Sequence, residues 1–378
     1  MPWKEVSMMT QRREFVTFAT AEHANIRDLC RRFNISHTTG YKWLARFLAA
    51  GESGLQDRSR RPHHSPKRTP NEVEQMILAL RHKHPAWCGR KLHTRARNLG
   101  HSELPSPSTI TAILKRNHLL DPQASAKHQA FRRFEKAAPN ELWQMDYKGE
   151  FKLPQGRCYP LTVVDDHSRF AVALQACAQP TISITQTALI AVFRRYGLPD
   201  WITCDNGSPW GSGGRSHYTK LGVWLLRLGI GLSHSRPHHP QTQGKAERFH
   251  RTLKAEVLRY QRGDTLLEWQ QHFDQWRDIY NHERPHDALD LKVPAARYQP
   301  SRRAYPERLP AIEYGPADLV RKVRGYGHIK YQGREYHLGA AFAGLPVALR
   351  PTTIDGSFAV YFCQHKLGVL DLNQNKLS

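Results

Sequence analysis

The spacing of apolar positions changes several times along the chain, and each change marks a boundary. Within 14–51 the pattern is helical. Ile26, Leu29, Cys30 and Phe33 recur on one face, Asn34-Ile35-Ser36 makes a turn, and Trp43, Leu44 and Phe47 resume the stripe over 37–48. Ser36 is the expected N-cap of that second helix. The pattern lapses across 51–70 and returns in a helix running to His82, with Thr69 or Asn71 as its cap. It appears again after Ser106-Pro107, where Ile110, Ile113 and Leu114 hold helical spacing.

Beyond a basic connector the period becomes two. Residues 143–153, 158–165 and 169–176 read as strands, followed by a helix over 182–196, a strand over 201–204, a helix over 218–228 and a last strand over 230–235. Three antiparallel strands and then alternating helix and strand predict a mixed sheet covered by helices. Gly244 opens a helix with Ala246, Phe249, Leu253 and Val257 as its apolar stripe and Glu247 in its first turn. A longer helix over 265–281 carries Trp269, Phe273, Trp276 and Tyr280 as a packing stripe. Six short β-like runs follow, at 320–323, 328–331, 334–338, 345–350, 357–362 and 366–372. Turns at Gln332-Gly333 and Asp355-Gly356 separate them, which predicts a small β-barrel.

The chain therefore divides into a helical module at 10–55, a linker at 56–69, a second helical module at 70–121, a connector at 122–137, an α/β domain at 138–300 and a β domain at 315–378. Charge then narrows the partners. Lys and Arg number 56 against 33 Asp and Glu, a surplus of +23 over 378 residues, with a pI of about 10.0. Such a balance suits a polyanion, because cations that neutralise phosphates release counterions. No run of about eighteen apolar residues suggests a membrane span, and the amino terminus has no secretory apolar core. The six cysteines are scattered without a Cys-x-x-Cys pair, as expected of reduced thiols in the cytoplasm. The 22 histidines lack the spacing of a structural zinc site.

Two carboxylates lie near strand ends, Asp146 in Leu142-Trp143-Gln144-Met145-Asp146-Tyr147 and Asp205 in Cys204-Asp205-Asn206-Gly207, and Glu247 is on a helix. An acid in a first helical turn ordinarily complements the macrodipole, and Asp-Asn-Gly is ordinarily a turn. Three such acids are also the donor set that hard divalent cations require. Two ions roughly 3.5–4 Å apart can clamp the attacking and leaving oxygens of a phosphoryl transfer.

Four segments, in this order, carry a resemblance: Trp143-Gln144-Met145-Asp146, Val164-Asp165-Asp166-His167-Ser168-Arg169-Phe170, Cys204-Asp205-Asn206-Gly207-Ser208 and His239-Pro240-Gln241-Thr242-Gln243-Gly244-Lys245-Ala246-Glu247-Arg248. They resemble bacterial insertion-sequence transposases of the DDE type, whose catalytic core is like that of retroviral integrases. The resemblance covers about 138–299 and implies a multidomain protein: helix-turn-helix modules, an α/β ribonuclease-H-like core and the carboxy-terminal β-barrel. It implies Asp146, Asp205 and Glu247 as catalytic ligands of two Mg²⁺ ions, with Mn²⁺ able to substitute. Asp165 and Asp166 compete for the first position; the family motif favours Asp146, in the first strand. The interval of 41 residues between Asp205 and Glu247 is longer than the family's usual one, and the Gly-rich stretch 207–214 is expected to form a longer surface loop.

Both helical modules look like helix-turn-helix units, whose second helix reads the major groove. In the first, His37, Thr38, Thr39, Tyr41 and Lys42 would meet DNA; in the second, Ser108, Thr109, Thr111, Lys115 and Arg116 would. Arg58, Arg60 and Arg61 in the linker would follow a backbone or minor groove. Around Glu247, the residues His239, Lys245, Arg248, Arg251 and Lys254 would contact phosphates, and Gln243 would orient a DNA end. The expected activity is binding of terminal inverted repeats followed by Mg²⁺-dependent cleavage and strand transfer in the nucleoid. The partner would be double-stranded DNA, bound by a homodimer or tetramer. The alternative is a DNA-binding regulator whose integrase-like domain is inactive.

Overall fold

The computed structural model describes residues 7–58, 68–120, 135–211, 218–234, 244–374 and 376–377 and separates the chain into two units, Met1–Arg68 and Thr69–Ser378. The first unit is a three-helix module: α1 (Met8–Ala19), α2 (Ile26–Arg32) and α3 (His37–Ala50). Ser7, Asn25 and Ser36 cap these helices by accepting a backbone N–H three residues on. Phe15, Val16, Leu29, Cys30, Trp43 and Leu55 form the core. Gly40 is required by close packing, since a Cβ there would lie 2.4 Å from Cys30 Sγ.

The second unit begins with α4 (Asn71–Lys83), α5 (Gly89–Asn98) and α6 (Pro107–Arg116) around Ile77, Trp87, Leu92, Ile110, Ile113 and Leu114. Pro70 occupies the α4 cap position, so neither Thr69 nor Asn71 caps the helix. Ser106 does cap α6, with Pro107 as its first residue.

The central sheet contains β1 (Leu142–Tyr147), β2 (Phe151–Leu153), β3 (Gly156–Asp165), β4 (Ala171–Cys177), β5 (Trp201–Cys204) and β6 (Gly231–His234). β3 pairs antiparallel with β1, β2 and β4, whereas β5 is parallel to both β1 and β6. The single strand expected over 143–153 is broken into β1 and β2, with Gly149 at φ +90° between them. Alternation along the strands sorts the two faces. Trp143, Met145, Leu161, Val163, Ile202 and Cys204 pack beneath α7 (Ile182–Tyr196) and α8 (Lys220–Arg227). On the other face Val164, Ala171 and Leu174 meet α9 (Gly244–Leu253) and α10 (Leu266–Asp278) through Phe249, Leu253, Trp269, Phe273 and Trp276. The predicted aromatic stripe of α10 is therefore packing, and Thr265 with Glu268 closes a capping box at its start.

The carboxy-terminal region forms an antiparallel sheet in the order β13 (Lys376–Leu377), β12 (His365–Asp371), β11 (Ser357–Phe362), β10 (Pro346–Pro351), β7 (Leu319–Lys322). A hairpin of β8 (His328–Tyr331) and β9 (Arg334–His337), turning at Gln332-Gly333 with both φ positive, packs on the same core. The expected barrel is not found: among the described residues β13 and β7 end the ladder, and no pairing joins them. α8 is apolar nearly all round, as buried helices are. Leu221, Trp224 and Leu225 face the central sheet, while Val223 and Leu226 belong to the carboxy-terminal core. One helix thus serves two hydrophobic cores.

Candidate active site

The pairing of β1 with β5 sets the geometry. Gln144 stands opposite Thr203 in a parallel ladder, so Asp146, near the end of β1, and Asp205, just past β5, each two residues further on, come level with one another. Both share the parity of Gln144 and Thr203 and so belong to the face covered by α9. Asp146 is mostly buried. Its carboxyl is pushed up to about 7, first by burial and then by the charge of Asp205, against weaker opposing effects of the Tyr147 N–H and Lys148. Asp205 Oδ1 accepts the Gly207 N–H at 3.0 Å, and its backbone carbonyl accepts His234 Nδ1–H at 2.9 Å. His234 thereby ties the end of β6 to the residue that follows β5.

Glu247 lies in the first turn of α9, exposed, with its carboxylate accepting Arg251 at 3.3 Å. Among the described residues no three His, Cys, Asp or Glu side chains are grouped closely enough to ligate one ion. Asp146 and Asp205 come together; Glu247 shares their face of the sheet but not their immediate cluster.

His250, three residues past Glu247 on α9, meets Asp146. Its Nδ1 is 3.8 Å from Asp146 Oδ2 and its Nε2 2.7 Å from Thr162 Oγ1. Thr162 donates to the Asp146 carbonyl at 2.9 Å, so His250 Nε2 is the donor to Thr162. Burial, reinforced by Lys148, lowers the imidazole to about 4 and keeps it neutral. The sequence reading missed His250. Its signal was the three-residue interval from Glu247, which puts both on one side of the helix.

The rival acids are engaged by the protein's own donors. Asp165 accepts Ser168 N–H at 2.7 Å, Ser168 Oγ–H at 2.6 Å and Asn140 N–H at 2.8 Å. Asp166 accepts Lys136 N–H and Gln144 Nε2–H, both at 2.9 Å, and pairs with Lys245.

Of the residues expected to meet DNA, His37, Thr38, Tyr41 and Lys42 are exposed on α3, and Thr39 is half-buried beside its cap. Ser108, Thr109, Thr111 and Lys115 are exposed on α6, whereas Arg116 binds the buried Glu74. Arg58, Arg248, Arg251 and Lys254 are exposed. Arg60, Arg61, His239 and Gln243 lie outside the described residues. Trp210, within the stretch expected to loop outward, is buried and stacks on Tyr147 at 5.4 Å, so the start of that stretch is anchored beside Asp146.

Known proteins share these parts. Integrase core domain models match residues 136–240 and 228–294, an IS481 family transposase C-terminal domain matches 318–378, a helix-turn-helix domain matches 11–63 and a homeodomain-like domain matches 39–114. Part by part, these matches are to integrase cores, to the C-terminal domain of an insertion-sequence transposase family and to helix-turn-helix domains. Among individual relatives, it is 28% identical over 158 residues to an uncharacterized 31.7 kDa protein of insertion element IS407 from Burkholderia multivorans, covering 42% of this chain and 55% of that one. It is 30% identical over 132 residues to the Gag-Pro-Pol polyprotein of sheep pulmonary adenomatosis virus, covering 34% of this chain and 7% of the polyprotein. The chain thus spans about half the length of the insertion-element relative and a small part of the viral one. The HTLV-2 integrase catalytic core domain in complex with magnesium aligns with 43% of this chain and 99% of its own, at 18% identity and a TM-score of 0.35.

Proposed function

We propose that the protein is a DDE transposase that binds the terminal inverted repeats of a mobile element and catalyses metal-dependent cleavage and strand transfer. The observation that carries this reading is the level placement of Asp146 on β1 and Asp205 just past the parallel strand β5, on the face covered by the helix that bears Glu247. The donor set fits a divalent cation. The charge of Asp205 adds to burial in raising the cost of ionising Asp146, and among the described residues His250, held neutral, is the one basic side chain within 4.0 Å of the Asp146 carboxylate. Asp146, Asp205 and Glu247 would hold Mg²⁺, or Mn²⁺ in its place. Bound there, a pair of ions would supply charge stabilisation to the attacking and leaving oxygens of an in-line displacement.

The chain's own contribution is placement. The exposed α3 and α6 faces engage the element end, and Arg248, Arg251 and Lys254 line the approach to Glu247 and hold phosphates there. Each DNA end and the target need a catalytic centre, so the working form is a dimer or tetramer on DNA, in the cytoplasm with the nucleoid. Among the described residues no helix is long and apolar enough to cross a membrane. Asp146→Asn, Asp205→Asn and Glu247→Gln should each abolish strand transfer on element ends while leaving end binding intact. Wild-type joining in Mg²⁺ by any of them would refute the reading.

One observation favours a second reading, a DNA-binding regulator with an inactive core: the Glu247 carboxylate is turned to Arg251. A cleavage assay on duplex ends separates the two, since a regulator responds to neither Mg²⁺ nor Mn²⁺.

A further inference from the structure

The Asp165-Asp166 motif has no part in the chemistry above, yet it is buried beside it. Asp166 and Gln144 are each 3% exposed. Gln144 stands two residues before Asp146 on β1 and has the same parity. Its Nε2 donates to Asp166 Oδ1 at 2.9 Å, and its Oε1 accepts the Ala246 N–H at 3.1 Å. Ala246 lies in the first turn of α9, where backbone N–H groups have no partner within the helix. β1 thus supplies an acceptor to the start of α9 through a side chain. Lys245 closes the arrangement by pairing with the same Asp166 oxygen, while the other oxygen takes the Lys136 N–H. The two residues immediately before Glu247 are therefore both fastened to one amide–carboxylate pair. That pair is anchored in the strand that bears Asp146.

An apolar contact would hold α9 against the sheet but tolerate sliding. Directional bonds to a buried carboxylate fix register and rotation as well. We propose that Gln144, oriented by Asp166, is a positioning residue that sets Glu247 relative to Asp146, and that Lys245 serves this clamp rather than DNA. The inference rests on Asp146, Asp205 and Glu247 being the metal-binding set.

The test uses the full chain on DNA carrying an element end. Mn²⁺ affinity is measured by calorimetry, and strand-transfer rate is measured against Mg²⁺ concentration. Gln144→Met, similar in length and without polar atoms, should weaken Mn²⁺ binding about 10–100-fold, as loss of a partner behind a metal ligand does. Saturating Mg²⁺ should restore most of its rate, a recovery that a folding defect would not give. Should Gln144→Met not fold, Lys245→Met carries the test. It should weaken Mn²⁺ binding in the same sense while end affinity and its salt dependence stay unchanged. Wild-type Mn²⁺ affinity in the folded Met variants would overturn the proposal. So would a Lys245→Met variant whose end affinity falls with a shallower salt slope, the mark of a lost phosphate contact. Glu247→Gln, run in parallel, separates the two levels. If it keeps wild-type activity and Mn²⁺ affinity, the metal-site reading itself fails; if it loses both while Gln144→Met behaves as wild type, only the clamp fails.

Discussion

Two pairs of aspartates occupy one sheet and differ in almost everything else. Asp165 ends β3 and Asp166 follows it, with most of their oxygens taken by backbone N–H groups, Ser168, Gln144 and Lys245. Burial pushes the Asp165 carboxyl up, but the Ser168 and Asn140 donors pull it back. Asp146 and Asp205 face each other across β1 and β5, and at Asp146 burial and the neighbouring charge act in the same direction. The first pair is satisfied by protein; the second leaves a repulsion that a cation would relieve. Proximity of acids alone therefore does not single out a candidate metal site; electrostatic demand left unmet does.

Removing members of the two pairs should have opposite effects on folding. The largest change expected is in Asp166→Ala, which strands the Lys245 ammonium and the Gln144 amide and should cost about 3–5 kcal/mol in denaturant unfolding. Asp146→Asn should instead stabilise the metal-free protein. The Asp146 carboxyl is raised above its unfolded value of 3.8 to about 7, so the native state binds the extra proton between those limits. That contribution is present below the unfolded pKa and is lost as pH rises through about 7. Asn should therefore be more stable by about 1–3 kcal/mol at pH 8 and no different near pH 3, as read from melting curves at the two pH values. Equal shifts at both would deny the repulsion.

His250 gives a smaller effect of the opposite sign. Its imidazole is held at about 4, so unfolded chains take up a proton between the ordinary 6.5 and 4 that the native state refuses. Stability should fall as pH drops through that window, and His250→Gln should blunt the fall by about 1 kcal/mol. Thr162→Val should give a change of similar size. It removes the hydroxyl that joins His250 to the Asp146 backbone and should cost about 1 kcal/mol while keeping the fold.

Periodicity made most of the architecture legible before the structure. The α7 helix and the β5 strand lie where the pattern put them, and six carboxy-terminal strands were found within a residue or two. Closure was not legible, because it depends on which edges pair, and neither β7 nor β13 carries a sign of that in its sequence. In the site, the acids were visible as strand-end and helix-start residues. What holds them was harder to see, since Gln144 is one polar residue in an apolar strand and its partners lie 22 and 102 residues away. Lys245 and Arg116 looked like DNA contacts because cations near a site usually face solvent, yet each meets a buried acid. The Lys245 phosphate contact is set against the clamp by the experiment above.

Isothermal titration of Mn²⁺ into the wild-type chain on an element end, repeated with Glu247→Gln, tests the convergence of the three acids most directly. The account predicts that Glu247→Gln loses Mn²⁺ affinity along with strand transfer, although its folding and end binding are intact. A Glu247→Gln variant that binds Mn²⁺ as the wild type does would contradict it.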